Sequence, residues 1–596
     1  MTLSTLDTTP QAPAWGVASN AETPAQLGYT AAGQAFHRAT QPNYGDWLDH
    51  VRAAAGCTRP IRLTGNLYTL EPGTGRILDE RSTAAMPDGA IYKGCGNRRG
   101  SVCPACSRVY QGDAYQILHT FLVGGKGIPA TVARHPAVFA TLTAPSFGTV
   151  HTRVVGKHTC VNRKRCDCRP EPCHARRDTG LCEHGRPAVC WARHERTDAI
   201  LGRPLCLDCY DHDHQVVWNI STGALWHRTK QAAERYLVAL CRRRRIPFHV
   251  VFTETGRTRR VPPVKLSHGK AAELQARGAV HFHALLRIDG VDPYDPDAVI
   301  PPPAGIDVGD LVDALDTAAR HTALTTPPHP DRPEGWPITW GDPDKGLDFR
   351  PITLAGDGDI TDGMAAGYLA KYATKSTEAT GHTSTRITPD NVDDHADPDG
   401  DHIARLIDAC WRIGRPTHTP APLADRPRID RPEPGFIARW ECPDCGTHTR
   451  YPACPVCIAE CQAILDSQPA KRVAATDYTR LRRAAHMLGF GGHFLTKTRR
   501  RVIAFRLLRE SRITYRRATD HEDQAATVIR LADHIDEETT LIVGTLTFAG
   551  AGWHTTGDAL LANTAADLAR SRRQAGREEL AHELGTTTVG VASAAA

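Results

Sequence analysis

His281-Phe282-His283 sits in the run Gly278-Ala-Val-His-Phe-His-Ala-Leu-Leu-Arg287. In a strand, alternate side chains share a face, so both imidazoles project to the same side. Two imidazoles placed this way form a site for a divalent cation. Further along, Tyr368-Leu-Ala-Lys371-Tyr372-Ala-Thr-Lys375 has the spacing of a helix. Residues four apart on a helix share a face, which predicts Tyr368 and Tyr372 on one side and Lys371 and Lys375 on another. A cation that grips a phosphate, beside a tyrosine hydroxyl that attacks it, can break a phosphodiester and keep the broken end as a tyrosyl ester. Each motif alone also suits a blander role, an ordinary polar strand or an aromatic stripe on a buried helix.

The elements that must position these groups are legible around them. Phe139-Ala-Thr-Leu-Thr-Ala-Pro-Ser146 reads as a strand ending in a turn, upstream of the histidine pair. Residues 225–241 carry a helical pattern, and Pro247–Glu254 is a Val- and Phe-rich strand. Residues 255–272 are basic and punctuated by Gly and Pro, which predicts a loop leading into the histidine strand. A helix is expected over 309–323 and another near 402–413. His212-Asp-His214 imitates the histidine pair, but it follows a cysteine knuckle and lacks an apolar strand around it.

A Thr-bearing strand, a His-apolar-His strand and a Tyr-x-x-Lys-Tyr-x-x-Lys helix follow one another in the motif order of rolling-circle initiators. The chain resembles the HUH endonucleases in their two-tyrosine form. More narrowly, it resembles the replication initiators of actinobacterial plasmids and integrative conjugative elements. The carrying residues are Cys95-Gly-Asn-Arg-Arg, Cys103-Pro-Ala-Cys106, Phe139 to Gly148, Cys206-Leu-Asp-Cys-Tyr210, Val217-Trp-Asn219, Leu225-Trp226, the histidine pair, the double-tyrosine helix and His486-Met-Leu-Gly-Phe-Gly-Gly-His-Phe-Leu-Thr-Lys497. The resemblance implies an α+β protein with an antiparallel-sheet HUH core, helices on one face, and the histidines on central strands. It implies Mg or Mn at His281, His283 and a third ligand. Glu273, eight residues before His281, has the family's usual spacing, and Glu254 is the alternative. It implies nicking and rejoining of single-stranded origin DNA through a 5′-phosphotyrosine, with Tyr372 initiating, Tyr368 terminating, and Lys371 or Lys375 favouring the phenolate or stabilising phosphate charge. A host helicase and DNA polymerase are the implied partners. A single-strand transposase with the same chemistry, or a zinc-dependent DNA-binding regulator without catalysis, remains as an alternative.

The chain has 596 residues, enough for several domains, and a net charge of +6 that supports a nucleic-acid partner only through its distribution. Lys497, Arg499, Arg500 and Arg501 open a basic, aromatic-interleaved segment suited to phosphates. No signal-peptide pattern and no apolar run of membrane-spanning length is present, which predicts a cytoplasmic protein. No Gly-x4-Gly-Lys-Ser/Thr loop is present, so a built-in helicase is not supported. Nineteen cysteines in such a chain point to metal rather than disulfides. Cys442, Cys445, Cys454 and Cys457 have zinc-ribbon spacing. Cys103 and Cys106 form a second knuckle, with Cys95 and the distant Cys57 as partners. Cys206 and Cys209 form a third, with partners among Cys182, His184, Cys190 and His194; Cys160, Cys166, Cys168 and Cys173 crowd the same stretch. The predicted division is a disordered leader (1–50), a Cys-rich region (51–135), an endonuclease core (136–380) with a Cys/His-rich insertion (151–215), a linker (381–435), a zinc ribbon with basic DNA-binding segment (436–520), and an α/β tail (521–596).

Overall fold

A computed structural model describes residues 30–594 except 71–73, 75, 157, 160–167, 176–179, 253–255, 353–360, 376, 383–384, 417–439, 442–447, 450–477, 500, 507 and 510–540. The fold is α+β, with helices around antiparallel sheets. The chain divides into two compact units, Gln111–Arg512 and a second made from both ends, Met1–Tyr110 with Ile513–Ala596.

The larger unit is built on a five-stranded sheet. Its strands are β1 (Ala137–Thr143), β2 (Val264–Leu274), β3 (Val280–Gly290), β4 (Leu347–Pro351) and β5 (Leu495–Lys497). All neighbours are antiparallel and the order is β4-β1-β3-β2-β5, so the histidine strand β3 is central. Almost every residue of β3 is buried. A strand covered on both faces loses polar alternation. The run Ala284-Leu-Leu shows this, and so does the buried Arg287. That guanidinium survives burial because Asp289 accepts from it at 2.7 Å, and Asp289 is also held by His135 at 2.9 Å and Ser267 at 2.5 Å.

Four helices position the sheet: α1 (His212–Arg243), α2 (Val308–His321), α3 (Asp362–Ala373) and α4 (His402–Ile413). Helix α1 begins well before the predicted 225, because Asp211 caps it by accepting from the His214 amide at 2.8 Å. Its Trp226 meets Phe282 of β3, while the tyrosines of α3 meet His283. Adjacent residues of a strand face opposite ways, so helices cover both faces rather than the one expected. The predicted loop 255–272 is instead a short strand, Thr258–Val261, followed by β2, the partner of the histidine strand. Gly and Pro gave the loop expectation, but Val264, Leu266, Ala271 and Ala272 are buried, and that burial decides. Where a linker is expected, α4 packs Leu406, Ile407, Cys410 and Ile413 into the same core as β3 and α1.

In the smaller unit, helices Ala31–Ala39 and Tyr44–Val51 stand where a disordered leader is expected; Trp47 and Val51 are fully buried. Within the expected α/β tail, Leu541–Gly544 and Thr547–Ala551 are strands in two different three-stranded sheets. A long helix, Thr556–Ala594, follows. No helix among the described residues is long and apolar enough to cross a membrane.

Candidate active site and metal-binding groups

Strand register assembles the floor of the site. Glu273 of β2 lies opposite His281, and Thr143 of β1 lies opposite the same histidine. His283 is flanked in the next row by Ala271 and Thr141. Residues directly opposed in antiparallel strands share a face, so Thr143, His281 and Glu273 form one row and Thr141, His283 and Ala271 the next. The imidazole rings are 4.3 Å apart. Thr141 Oγ1 is 3.2 Å from His283 Nδ1, and Thr143 Oγ1 is 3.1 Å from His281 Nδ1. These hydroxyls occupy both Nδ1 atoms and leave the Nε2 atoms as the ligand positions, the outer-shell support that metal-binding histidines usually have. His283 Nε2 lies 3.6 Å from Glu273 Oε2. Burial, with His283 and Arg277 adding to it, pushes His281 down to about 3, so the ring is neutral and its lone pair is available.

Helix α3 brings the tyrosines over this floor. Ring centroids of Tyr368 and Tyr372 are 4.9 and 5.2 Å from that of His283, and 4.4 Å from each other. Thr361 caps the helix and Ala365, Ala366, Leu369, Ala370 and Ala373 form its buried side. Burial raises both phenols; the Tyr368–Tyr372 contact raises Tyr372 further and lowers Tyr368, and the Glu273 charge raises both. The expected shared face for the two lysines does not occur. The helix ends at Ala373, so Lys375 turns back, with its ammonium 2.9 Å from Glu273 Oε1 and 4.3 Å from the Tyr372 centroid. Lys371 remains on the helix and is exposed.

Several further residues support the site in ways that their local sequence does not explain. Asn219 of α1 is fully buried; its side chain donates to Gly278 O (3.0 Å) and Leu488 O (2.7 Å) and accepts from Val280 N (3.0 Å). It thus ties the start of β3 to the Leu488 segment. Gly278 turns the β2–β3 hairpin at φ 78°, where a Cβ would lie 2.8 Å from Leu488 Cδ1. Arg277 donates to Ala144 O and Pro145 O, pinning that turn to the end of β1. The resemblance had already singled out Val217-Trp-Asn219; only long-range contacts reveal why.

Cysteines and histidines gather in three groups whose ligand atoms all lie within 4.8 Å of one another. Cys57, Cys95, Cys103 and Cys106 meet as expected, with Cys103 Sγ 3.8 Å from Cys57 Sγ. Cys182, Cys206 and Cys209 take His184 as the fourth member. Cys190 does not join them: it sits with Cys173, His194 and His151, the last of which sequence reasoning missed. These donor sets are compatible with a structural metal such as zinc. Cys442, Cys445, Cys454, Cys457, Cys160, Cys166, Glu254 and Arg500 lie outside the described residues.

The basic segment is divided. Arg499 is exposed and Lys497 is half-buried, donating to Val502 O at 3.2 Å. Arg501 is buried and its guanidinium donates to Gly290 O and Pro296 O. It is therefore committed to the fold rather than to DNA, contrary to expectation. His212, the false histidine pair's first member, is buried against His402 at 3.1 Å.

Residues 43–567 match the RepSA family, described as "Replication initiator protein, pSAM2". A "Replication initiator protein" of Streptomyces ambofaciens is 34% identical over 563 residues, covering 93% of this chain and 97% of that protein. The chain belongs to the RepSA family of replication initiators. No solved structure matches.

Proposed function

We propose that this initiator is a metal-dependent nickase with an HUH core that cuts and rejoins one strand of its plasmid or integrative-element origin through a 5′-phosphotyrosine. The observation that carries this reading is the approach of both tyrosine rings to His283, at 4.9 and 5.2 Å, on the sheet face that also bears His281 and Glu273. The central place of the histidine strand in an antiparallel sheet supports it.

The donor set fits Mg or Mn: two imidazoles presenting Nε2 and one carboxylate. When bound there, the ion would neutralise a non-bridging phosphate oxygen and hold the scissile phosphate in line. Tyr372 makes the first attack. Its oxygen bonds to phosphorus as the P–O3′ bond breaks; the phenol proton is released and the 3′ oxygen gains one. The products are a 5′-phosphotyrosine and a 3′-OH that primes a polymerase. Tyr368 makes the second cut while the first tyrosine is loaded, and the reverse attack by a 3′-OH rejoins the strand. Lys375, beside both Tyr372 and Glu273, favours the developing phenolate, and exposed Lys371 is available to the incoming phosphate.

Zinc in the Cys-rich groups shapes small regions that lack apolar cores, and Lys497 and Arg499 contribute charge to origin binding. A host helicase and polymerase take over at the nick. The test is cleavage of end-labelled single-stranded origin DNA with Mg or Mn. We expect a covalent adduct on the 5′ end that Tyr372→Phe abolishes. An adduct lost only in Tyr368→Phe would reverse the two roles. Binding without any adduct would favour the zinc-dependent regulator.

A further inference from the structure

Between Thr143 and His212 the described residues contain neither a helix nor an extended strand, only isolated bridges such as Val150–Pro204, Val154–Glu171 and His174–Cys190. From 151 to 209 none of the described Leu, Ile, Val or Trp side chains is buried, and Leu181 is 66% and Trp191 62% exposed. A segment of this length with no apolar interior needs another source of order. The ligand atoms supply one. Zinc bonds of about 2.0–2.1 Å to nitrogen and about 2.3 Å to sulfur give tetrahedral edges of about 3.3 Å (N to N), 3.6 Å (N to S) and 3.8 Å (S to S). His151 Nδ1 lies 3.2 Å from His194 Nε2, Cys190 Sγ 3.6 Å from His194 Nε2, and Cys173 Sγ 3.9 Å from His151 Nδ1. Those are the edges of a Cys2His2 tetrahedron. Second contacts suit it. Asp198 Oδ2 holds His194 Nδ1 at 2.7 Å, fixing which nitrogen is free, and the Thr152 amide donates to Cys173 Sγ at 3.1 Å. In the neighbouring group, His184 Nδ1 is 3.2 Å from Cys209 Sγ and 3.9 Å from Cys206 Sγ.

The order of ligands along the chain is the informative part. His151 and Cys173 belong to the first group, Cys182 and His184 to the second, Cys190 and His194 to the first again, and Cys206 and Cys209 to the second. The pairs alternate, so each ion closes a loop that contains a ligand pair of the other. We propose that the described residues between His151 and Cys209 form a cross-braced module holding two zinc ions, one at His151, Cys173, Cys190 and His194 and the other at Cys182, His184, Cys206 and Cys209. The module's base buttresses the active-site hairpin. Gly202 packs so closely on the β2–β3 turn that a Cβ there would lie 2.6 Å from Ala276 Cβ, and Arg203 reaches Thr380 O at 3.4 Å, just beyond the tyrosine helix.

Zinc content per full-length chain, measured by elemental analysis, tests this. Cross-bracing predicts that His151→Ala and Cys209→Ser each lose about two ions relative to wild type and that the double variant loses no more. His151→Cys, which restores a ligand, should recover the wild-type content and so separates ligand loss from general misfolding. Unchanged zinc in His151→Ala, or no recovery in His151→Cys, overturns the site. Losses of one ion in each single variant and two in the double overturn the brace. The count is independent of strand cleavage, so a failed adduct assay with normal zinc would sink the nickase reading alone.

Discussion

Lys375, two residues past the end of the tyrosine helix, places its ammonium 2.9 Å from Oε1 of Glu273, while Oε2 of the same carboxylate faces His283 Nε2 at 3.6 Å. One carboxylate thus links the tyrosine helix to the histidine strand. In the proposed mechanism it is both a metal ligand and the partner of the lysine that sits on Tyr372.

Glu273→Gln keeps the shape of the side chain and removes its charge. Adduct formation should fall by about 100-fold, in the range seen when a preorganised electrostatic group is removed. Because a ligand is weakened, extra Mn should recover part of the loss. Kinetics over a Mn titration check this; a rate within twofold of wild type at all Mn concentrations would remove Glu273 from the site.

Thr141→Val is nearly isosteric and deletes only the hydroxyl on His283 Nδ1. Loss of such an outer partner typically weakens metal binding by about 10–100-fold. Calorimetric Mn titration should show this weakening with little change in melting temperature. An unchanged Mn affinity would mean that the hydroxyl does not orient the ring.

His212 and His402 form a buried pair, and His402 Nε2 also donates to Arg277 O at 2.9 Å. Burial, reinforced for His212 by His402, pushes His212 down to about 3 and His402 to about 4. Both folded values lie below the ordinary histidine value of about 6.5, so between these limits the unfolded chain binds more protons. The pair's stability is therefore fully present above about pH 6.5 and is lost as pH falls toward about 4. Wild type should lose melting temperature between pH 7.5 and 5 by more than His402→Gln does. Parallel pH dependences in the two proteins would contradict this.

Arg501 and Arg499 should behave oppositely although they are two residues apart. Arg501→Ala removes the donor to the buried carbonyl of Gly290, along with the bond to Pro296 O, and should cost about 1–3 kcal/mol of stability. Arg499→Ala should leave stability within about 0.5 kcal/mol, the usual size for an exposed substitution. If it contacts phosphate, it should lower the salt dependence of DNA binding by about one unit of slope. Denaturant melts and binding over a salt series separate the two. A stable Arg501→Ala protein with weakened DNA binding would restore Arg501 to the DNA surface.

The sequence by itself determined the chemical groups and their local spacing. Period-two placement put His281 and His283 on one face, four-residue spacing did the same for Tyr368 and Tyr372, and short cysteine spacings identified knuckles, because these relationships are set by backbone geometry within a few residues. It also carried helices α2 and α4 nearly to their ends, since capping and amphipathic periodicity are local. What lay beyond it was decided by tertiary structure. The register that sets Glu273, His281 and Thr143 in one row joins the β2–β3 hairpin to β1, a strand far earlier in the chain. Termination of α3 at Ala373 sent Lys375 to Glu273 instead of along the helix. Folding of the insertion moved Cys190 from one ligand group to another and recruited His151. Burial likewise committed Arg501 to the fold and placed residues 264–272, expected within a Gly-punctuated loop, in the strand beside the histidine strand. In each case the outcome depends on contacts between distant segments, and such contacts leave no periodic trace in the residues that make them.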